Sequence, residues 1–172
     1  STSGYRVVFG EADNLPGLII DRYDSVLVLQ VSTAGMEKLR PLVLGACQAV
    51  FRPSAIYERS DMPARNEEHL SPFTAVHHGE VVEPVPFHEY GHTYVADVIG
   101  GQKTGFFLDQ KDLRQQVRVL ANGKNILNLF SYTGATSVAS LLGGASHVHN
   151  VDQSDTALAL IPRQMELNSI SV

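Results

Sequence analysis

Ile126-Leu127-Asn128-Leu129-Phe130-Ser131-Tyr132-Thr133-Gly134-Ala135-Thr136-Ser137 runs from an apolar strand through a turn into a helix start. Residues 126–130 are apolar except for Asn128, as expected of a strand covered on both faces of a parallel sheet. Gly134 allows a ligand to approach the backbone closely, and the helix that follows begins with amide N–H groups lacking intrahelical partners. Residues 147–151 read as the next strand, which ends at Asp152, eighteen residues after Gly134. A carboxylate there can accept hydrogen bonds from both hydroxyls of a ribose. The segment therefore predicts a nucleoside-type site with Asn128, Phe130, Ser131, Tyr132, Thr133, Gly134, Asp152 and Gln153 as candidate contacts. A pyrophosphate would want the fuller Gly-x-Gly-x-x-Gly cradle. One glycine beside a bulky Tyr132 suits a ligand without phosphates, such as S-adenosylmethionine. The blander alternative is that Gly134 only turns the chain and Asp152 only caps a helix starting at Ser154.

Around this stretch the order is helix, strand, helix, strand, helix. Asp109 is expected to cap a helix through Leu120, which Asn122-Gly123 ends. Gly143-Gly144 ends a second helix over residues 134–142, and Ser154 starts a third, interrupted at Pro162. Such βαβα units place a ligand crevice at the carboxyl ends of their strands. Before residue 90 the chain is β-rich. Residues 5–9, 18–23, 26–31 and 55–59 read as strands of branched and aromatic residues, with a turn at Asp24-Ser25. Residues 36–50 read as a helix that Pro53 closes, with Leu39, Val43, Ala46 and Val50 on its packing face. Residues 80–99 suggest a hairpin. The fold class expected is thus an α+β domain over residues 1–90, followed over residues 91–172 by a hairpin and an α/β segment, which a family resemblance carried by residues 101–110 and 128–134 makes the first part of a Rossmann-like domain.

Composition narrows the function classes. The 172 residues are 44% hydrophobic and 18% charged, a globular balance. The apolar runs are strand-length, so no membrane role is expected. A single cysteine, Cys47, excludes an intramolecular disulfide and agrees with a cytoplasmic location. The net charge of −5 argues against this stretch alone binding nucleic acid. Seven histidines include His77-His78 and the pair His88 and His92, but Gly91 breaks any helix presenting that pair, and no metal site is expected. The charged run at residues 59–68 reads as a solvated loop. Its functional alternative is a rim with Arg59 and Arg65 on phosphates.

Gly101-Gln102-Lys103-Thr104-Gly105-Phe106-Phe107-Leu108-Asp109-Gln110, the turn at residues 128–134 and Glu166-Leu167-Asn168 together resemble a known family. It comprises the class I S-adenosylmethionine-dependent methyltransferases that modify C5 of cytosine in 23S ribosomal RNA, in their RlmI-like branch. Residues 10–23 and Tyr57-Glu58-Arg59-Ser60-Asp61 resemble its central domain, so the similarity covers nearly the whole chain. The resemblance implies three parts: an RNA-binding PUA domain, a central domain and a Rossmann-like methyltransferase domain. This chain would hold the second part and the front half of the third. It also implies that Gln102, Lys103, Thr104, Phe107, Asp109 and Gln110 border the methyl-donor pocket, polar groups serving the aminoacyl tail and apolar walls serving adenine. One of Phe106 and Phe107 is expected in the core instead.

The same resemblance places the attacking cysteines and an Asp-Pro-Pro segment beyond Val172, so no catalytic residue is expected in this chain. Ribosomal RNA would be a partner of the intact protein. Asn128 stands where many relatives carry aspartate, and Pro162 and Gln164 depart from the usual pattern. Two other functions stay open: a non-catalytic binding module, and methyl transfer to another RNA position or a small molecule. A half-sheet exposing residues 126–130 also predicts a possible homodimer.

Overall fold

The structure is a computed structural model that describes residues 1–171; Val172, the end of the expected second segment, lies outside the described residues. The chain divides into two compact units that interleave in sequence. Residues 1–88 and 96–106 form the first, and residues 89–95 and 107–172 the second. The boundary therefore differs from a single break after residue 90. The chain crosses it three times because strands β6 (Val85–Glu89) and β7 (His92–Ala96) fold as the expected hairpin before residues 96–106 return to the first unit.

In the first unit, β1 (Gly4–Phe9), β2 (Leu18–Tyr23), β3 (Val26–Val31), β4 (Ala55–Ser60) and β5 (Phe73–Gly79) form one sheet in sequence order. Only β3 and β4 pair in parallel, and helix α1 (Ala34–Phe51) makes the crossover between them. Thr33 starts α1 by accepting the Met36 amide, and Arg52 ends it in the left-handed region. Strand alternation sends Leu18, Ile20, Leu27, Leu29, Val31 and Ile56 to the α1 face, where they meet Met36, Val43, Leu44, Cys47 and Phe51. Fully burying each large side chain contributes about 1.5–3 kcal/mol. The α1 stripe is rotated from the expected one: Leu39, Ala46 and Val50 face solvent, because the spacing that starts at Met36 meets the sheet.

Charged groups are also sealed into this unit. Glu58, on the α1 face, has no exposed surface and receives Arg40, Ser60 and His77 at 2.6–2.8 Å. Arg65 is buried as well, donating to the carbonyls of Val31 and Ser71 and to Glu37. It staples the 3-10 turn Pro63–Glu68 to the sheet, so the phosphate role considered for it does not hold.

In the second unit, β8 (Asn125–Leu129) and β9 (His147–Val151) pair in parallel. Helix α3 (Ala135–Leu142) connects them, and α2 (Lys111–Leu120) lies against α3. The helix after Asp152 is split, as Pro162 foretells, into α4 (Asp155–Leu158) and α5 (Ile161–Leu167). Asp109 does not cap α2: a 3-10 turn over Leu108–Gln110 precedes it, and Gln110 occupies the cap position without a side-chain bond. Val138, Ala139, Ala157 and Met165 are buried in this unit. The coverage expected on both faces of β8 is found on one only. Leu127 and Leu129 are more than half exposed and Val151 is also exposed.

Candidate functional site

Between β8 and α3 the chain makes a strained turn. Phe130, Tyr132 and Gly134 all have positive φ, at 56°, 49° and 78°. A non-glycine residue held there costs on the order of 1–3 kcal/mol, and such strain gathers at functional sites. Two backbone bonds close the turn, Ser131 N–H to the Val151 carbonyl at 3.0 Å and Gly134 N–H to the Ser131 carbonyl at 2.8 Å.

Asp152 holds this geometry at the end of β9. One carboxylate oxygen accepts the Tyr132 amide at 2.7 Å and the other the Ser154 amide at 2.9 Å. The Ser154 and Tyr132 amides keep its carboxyl below the ordinary aspartate range, so it is ionised at neutral pH. Each carboxylate oxygen retains a lone pair for a further donor. Asp152 thus does what the bland alternative said, steadying the start of α4, and still offers a charged acceptor at the strand end. Ser154 caps α4 through its own hydroxyl.

Aromatic walls stand beside the turn. The Phe107 and Tyr132 rings meet edge to face, with centroids 5.3 Å apart at 81°. Phe107 is held from behind by Arg114, which donates to its carbonyl at 3.0 Å while forming a two-pronged pair with Glu89 at 2.8 and 2.6 Å. Both members of that pair are almost completely buried, and the Arg114 guanidinium lies 5.7 Å from the centre of the Tyr94 ring. Burial, with the Glu89 charge nearby, pushes the Tyr94 hydroxyl up to about 12. Asp109, Gln110 and Gln153 are exposed in this unit, and Phe130 is 90% exposed at the mouth of the turn.

Gln102, Lys103 and Thr104 belong to the first unit. Thr104 is fully buried, with its hydroxyl donating to Asp21 at 2.5 Å and 2.8 Å from the Tyr23 hydroxyl. It anchors the turn that carries the exposed Gln102 and Lys103. Phe106 is the core member of the aromatic pair, packed edge-on to Phe87 at 4.8 Å. Asn128 points its amide at Ser137 (2.8 Å) and lies 3.5 Å from Asn150, tying β8 to α3 and β9. Gly134 departs from expectation in its reason. A Cβ on it would lie 2.7 Å from Ile161, so the close approach its lack of side chain permits is that of α5.

Sequence reasoning missed two groups here. Glu89 and Arg114 are separated by 24 intervening residues and carry no local signature. Gln164 shows in the sequence only as a departure from a pattern, yet it is fully buried and its amide donates to the Thr133 carbonyl in the turn. Among the described residues no group of three or more His, Cys, Asp or Glu side chains could hold a metal ion, and no helix is long and apolar enough to cross a membrane.

Comparison with known proteins gives the lineage. A family model described as S-adenosylmethionine-dependent methyltransferase matches residues 67–169. The ribosomal RNA large subunit methyltransferase I of Aeromonas salmonicida is 44% identical over 171 residues, covering 99% of this chain and 43% of the relative. Among solved structures, a protein from Streptococcus mutans described as a candidate SAM-dependent methyltransferase superposes with a TM-score of 0.84 at 29% identity, over 99% of this chain and 44% of that one. A candidate methyltransferase complexed with SAH superposes with a TM-score of 0.85 at 29% identity, over 99% and 43%. The chain therefore spans less than half the length of these relatives. A strained single-glycine turn steadied by an ionised carboxylate, with the family match running across it, makes this chain a member of the S-adenosylmethionine-dependent methyltransferase family.

Proposed function

We propose that the intact protein methylates C5 of a cytosine in large-subunit ribosomal RNA, and that this chain supplies the methyl-donor half of that machinery. The observation that carries the donor reading is the Asp152 carboxylate, kept ionised at the lip of a turn with three positive φ angles. In this reading its free lone pairs accept the ribose hydroxyls. Phe107 and Tyr132 flank the adenine, and Asp109, Gln110, Ser131, Thr133 and Gln153 serve the polar remainder. S-adenosylmethionine supplies an electrophilic methyl group on its sulfonium. The reading rests on second-unit residues, and Gln102 and Lys103, on the first-unit turn that Thr104 anchors, are kept as candidates. The large-subunit RNA substrate is supported by the name of the Aeromonas relative.

Cytosine chemistry needs a nucleophile for C6, and the chain's one cysteine does not fit. Cys47 is 3% exposed inside the first unit, and burial pushes its thiol up, away from the thiolate that attacks. The nucleophile is accordingly assigned to the remainder of the intact protein. Incubating intact protein and labelled donor with 23S RNA tests the proposal. We expect label in 5-methylcytosine, and label on an exocyclic amine would refute the C5 assignment. The 172-residue chain alone is expected to leave naked 23S RNA unlabelled.

The exposed face of β8 and β9 favours a second, compatible reading, self-association of this chain through its half-sheet. Leu127, Leu129 and Val151 present apolar surface there, beside strand edges that no other strand pairs among the described residues.

A further inference from the structure

The donor turn is gripped by a side chain that the donor reading does not use. Gln164 has no exposed surface, and its amide nitrogen donates to the Thr133 carbonyl, at the centre of the turn that runs from Phe130 to Gly134. The same helix presses Ile161 against Gly134, leaving no room for a Cβ. Helix α5 is itself moored. Asn168 donates to the Gln164 carbonyl and to the Thr93 carbonyl, both at 2.7 Å, and accepts the Thr93 amide at 3.0 Å. Strand β7, Asn168, Gln164 and Thr133 thus form a continuous chain of amide contacts ending in the turn. Around its end, the Ser131 and Thr133 hydroxyls and the Gln164 carbonyl oxygen are buried without hydrogen-bond partners among the described residues. The Gln164 amide thus reaches the backbone of the turn from within. A turn with three positive φ angles persists only when its surroundings over-determine it.

We infer that Gln164 is a positioning residue for methyl-donor binding, holding the turn in its binding conformation through the Thr133 carbonyl. The inference rests on the donor reading above. Its effect on affinity follows from preorganisation: a turn that must be re-formed on binding loses affinity by the fraction of time it is misplaced.

The test uses intact protein carrying Gln164→Met, which keeps the volume and removes the donor, and Gln164→Glu, which donates only when protonated. Calorimetry measures binding of S-adenosylhomocysteine across pH 5–8, and hydrogen exchange follows the ligand-free turn. Gln164→Met should bind about tenfold more weakly at every pH, the loss expected when a buried carbonyl loses its donor. Gln164→Glu should recover affinity as the pH falls, since a buried carboxyl titrates above its ordinary range and regains an O–H for Thr133. Amide exchange at Tyr132 and Gly134 should quicken while β8 and β9 stay protected. Affinity within twofold of the parent for Gln164→Met, or weakening accompanied by equal loss of protection in β8 and β9, would overturn the inference. A parent that does not bind S-adenosylhomocysteine would instead refute the donor reading; the exchange arm needs no ligand and judges the grip on the turn separately.

Discussion

Replacing Asp152 with alanine removes two bonds that the structure shows and the ribose contacts that the donor reading adds. The carboxylate accepts the Tyr132 amide at 2.7 Å and the Ser154 amide at 2.9 Å. A hydrogen bond to a charged group contributes roughly 1.5–3 kcal/mol, and solvent at this partly exposed site places the values near the lower end. Part of the loss falls on the turn, because Tyr132 at φ 49° gives up the acceptor that steadies it. Taking about 2 kcal/mol as the share that reaches binding, affinity for S-adenosylhomocysteine falls about thirtyfold. Asp152→Asn keeps one acceptor oxygen and should lie between alanine and parent.

The pH dependence has a definite sign. The folded carboxyl titrates below its unfolded value of 3.8, so its contribution is present above that value and is lost as the pH falls through the lower, folded one. Parent affinity should therefore stay level, as far as this group governs it, from neutral pH down to about 4. Calorimetry on the intact protein, with thermal unfolding measured alongside, decides the matter. An Asp152→Ala protein that binds as tightly as the parent would refute the assignment.

Three further outcomes follow from the same geometry. Gly134→Ala places a methyl group against Ile161 and forces a side chain into the left-handed region, at about 1–2 kcal/mol for the backbone alone; unfolding should come about 5 °C lower, and an unchanged melting temperature would contradict it. Glu89→Gln leaves the buried Arg114 charge uncompensated and should cost about 3–5 kcal/mol in denaturant unfolding, with Glu89→Gln/Arg114→Met recovering part of it; equal stability of parent and single variant would show that the pair is not what holds Phe107. Light scattering over a concentration series should show self-association of the chain that Leu127→Lys weakens, whereas a strict monomer with strong amide protection in β8 would rule out pairing through the half-sheet.

Much of the architecture was legible because it is written locally. The strand, turn and helix at residues 126–142 follow from an apolar run, a glycine and a helical run. The break at Pro162 follows from a missing amide and a fixed φ. Strands β2 and β3 carry their alternation and turn within fourteen consecutive residues. Strand β5 was not legible: it is a half-exposed edge strand whose identity comes from pairing with β4.

The candidate site divides in the same way. Asp152 and the glycine turn stand at a spacing that sequence alone makes meaningful, and the family motif spans them. What tertiary structure decided is who touches whom across long separations. Thr104 meets Asp21 across 83 residues and so anchors its turn from the core. Arg114 meets Glu89 across 25, and Gln164 meets Thr133 across 31. Gly134 makes room for Ile161, a reason for the glycine that the turn by itself does not reveal. Backbone propensity and periodicity act over a few residues and are therefore visible in one dimension. The burial of a charge, the grip on a carbonyl and the face of a helix that meets a sheet depend on chain segments brought together only by folding.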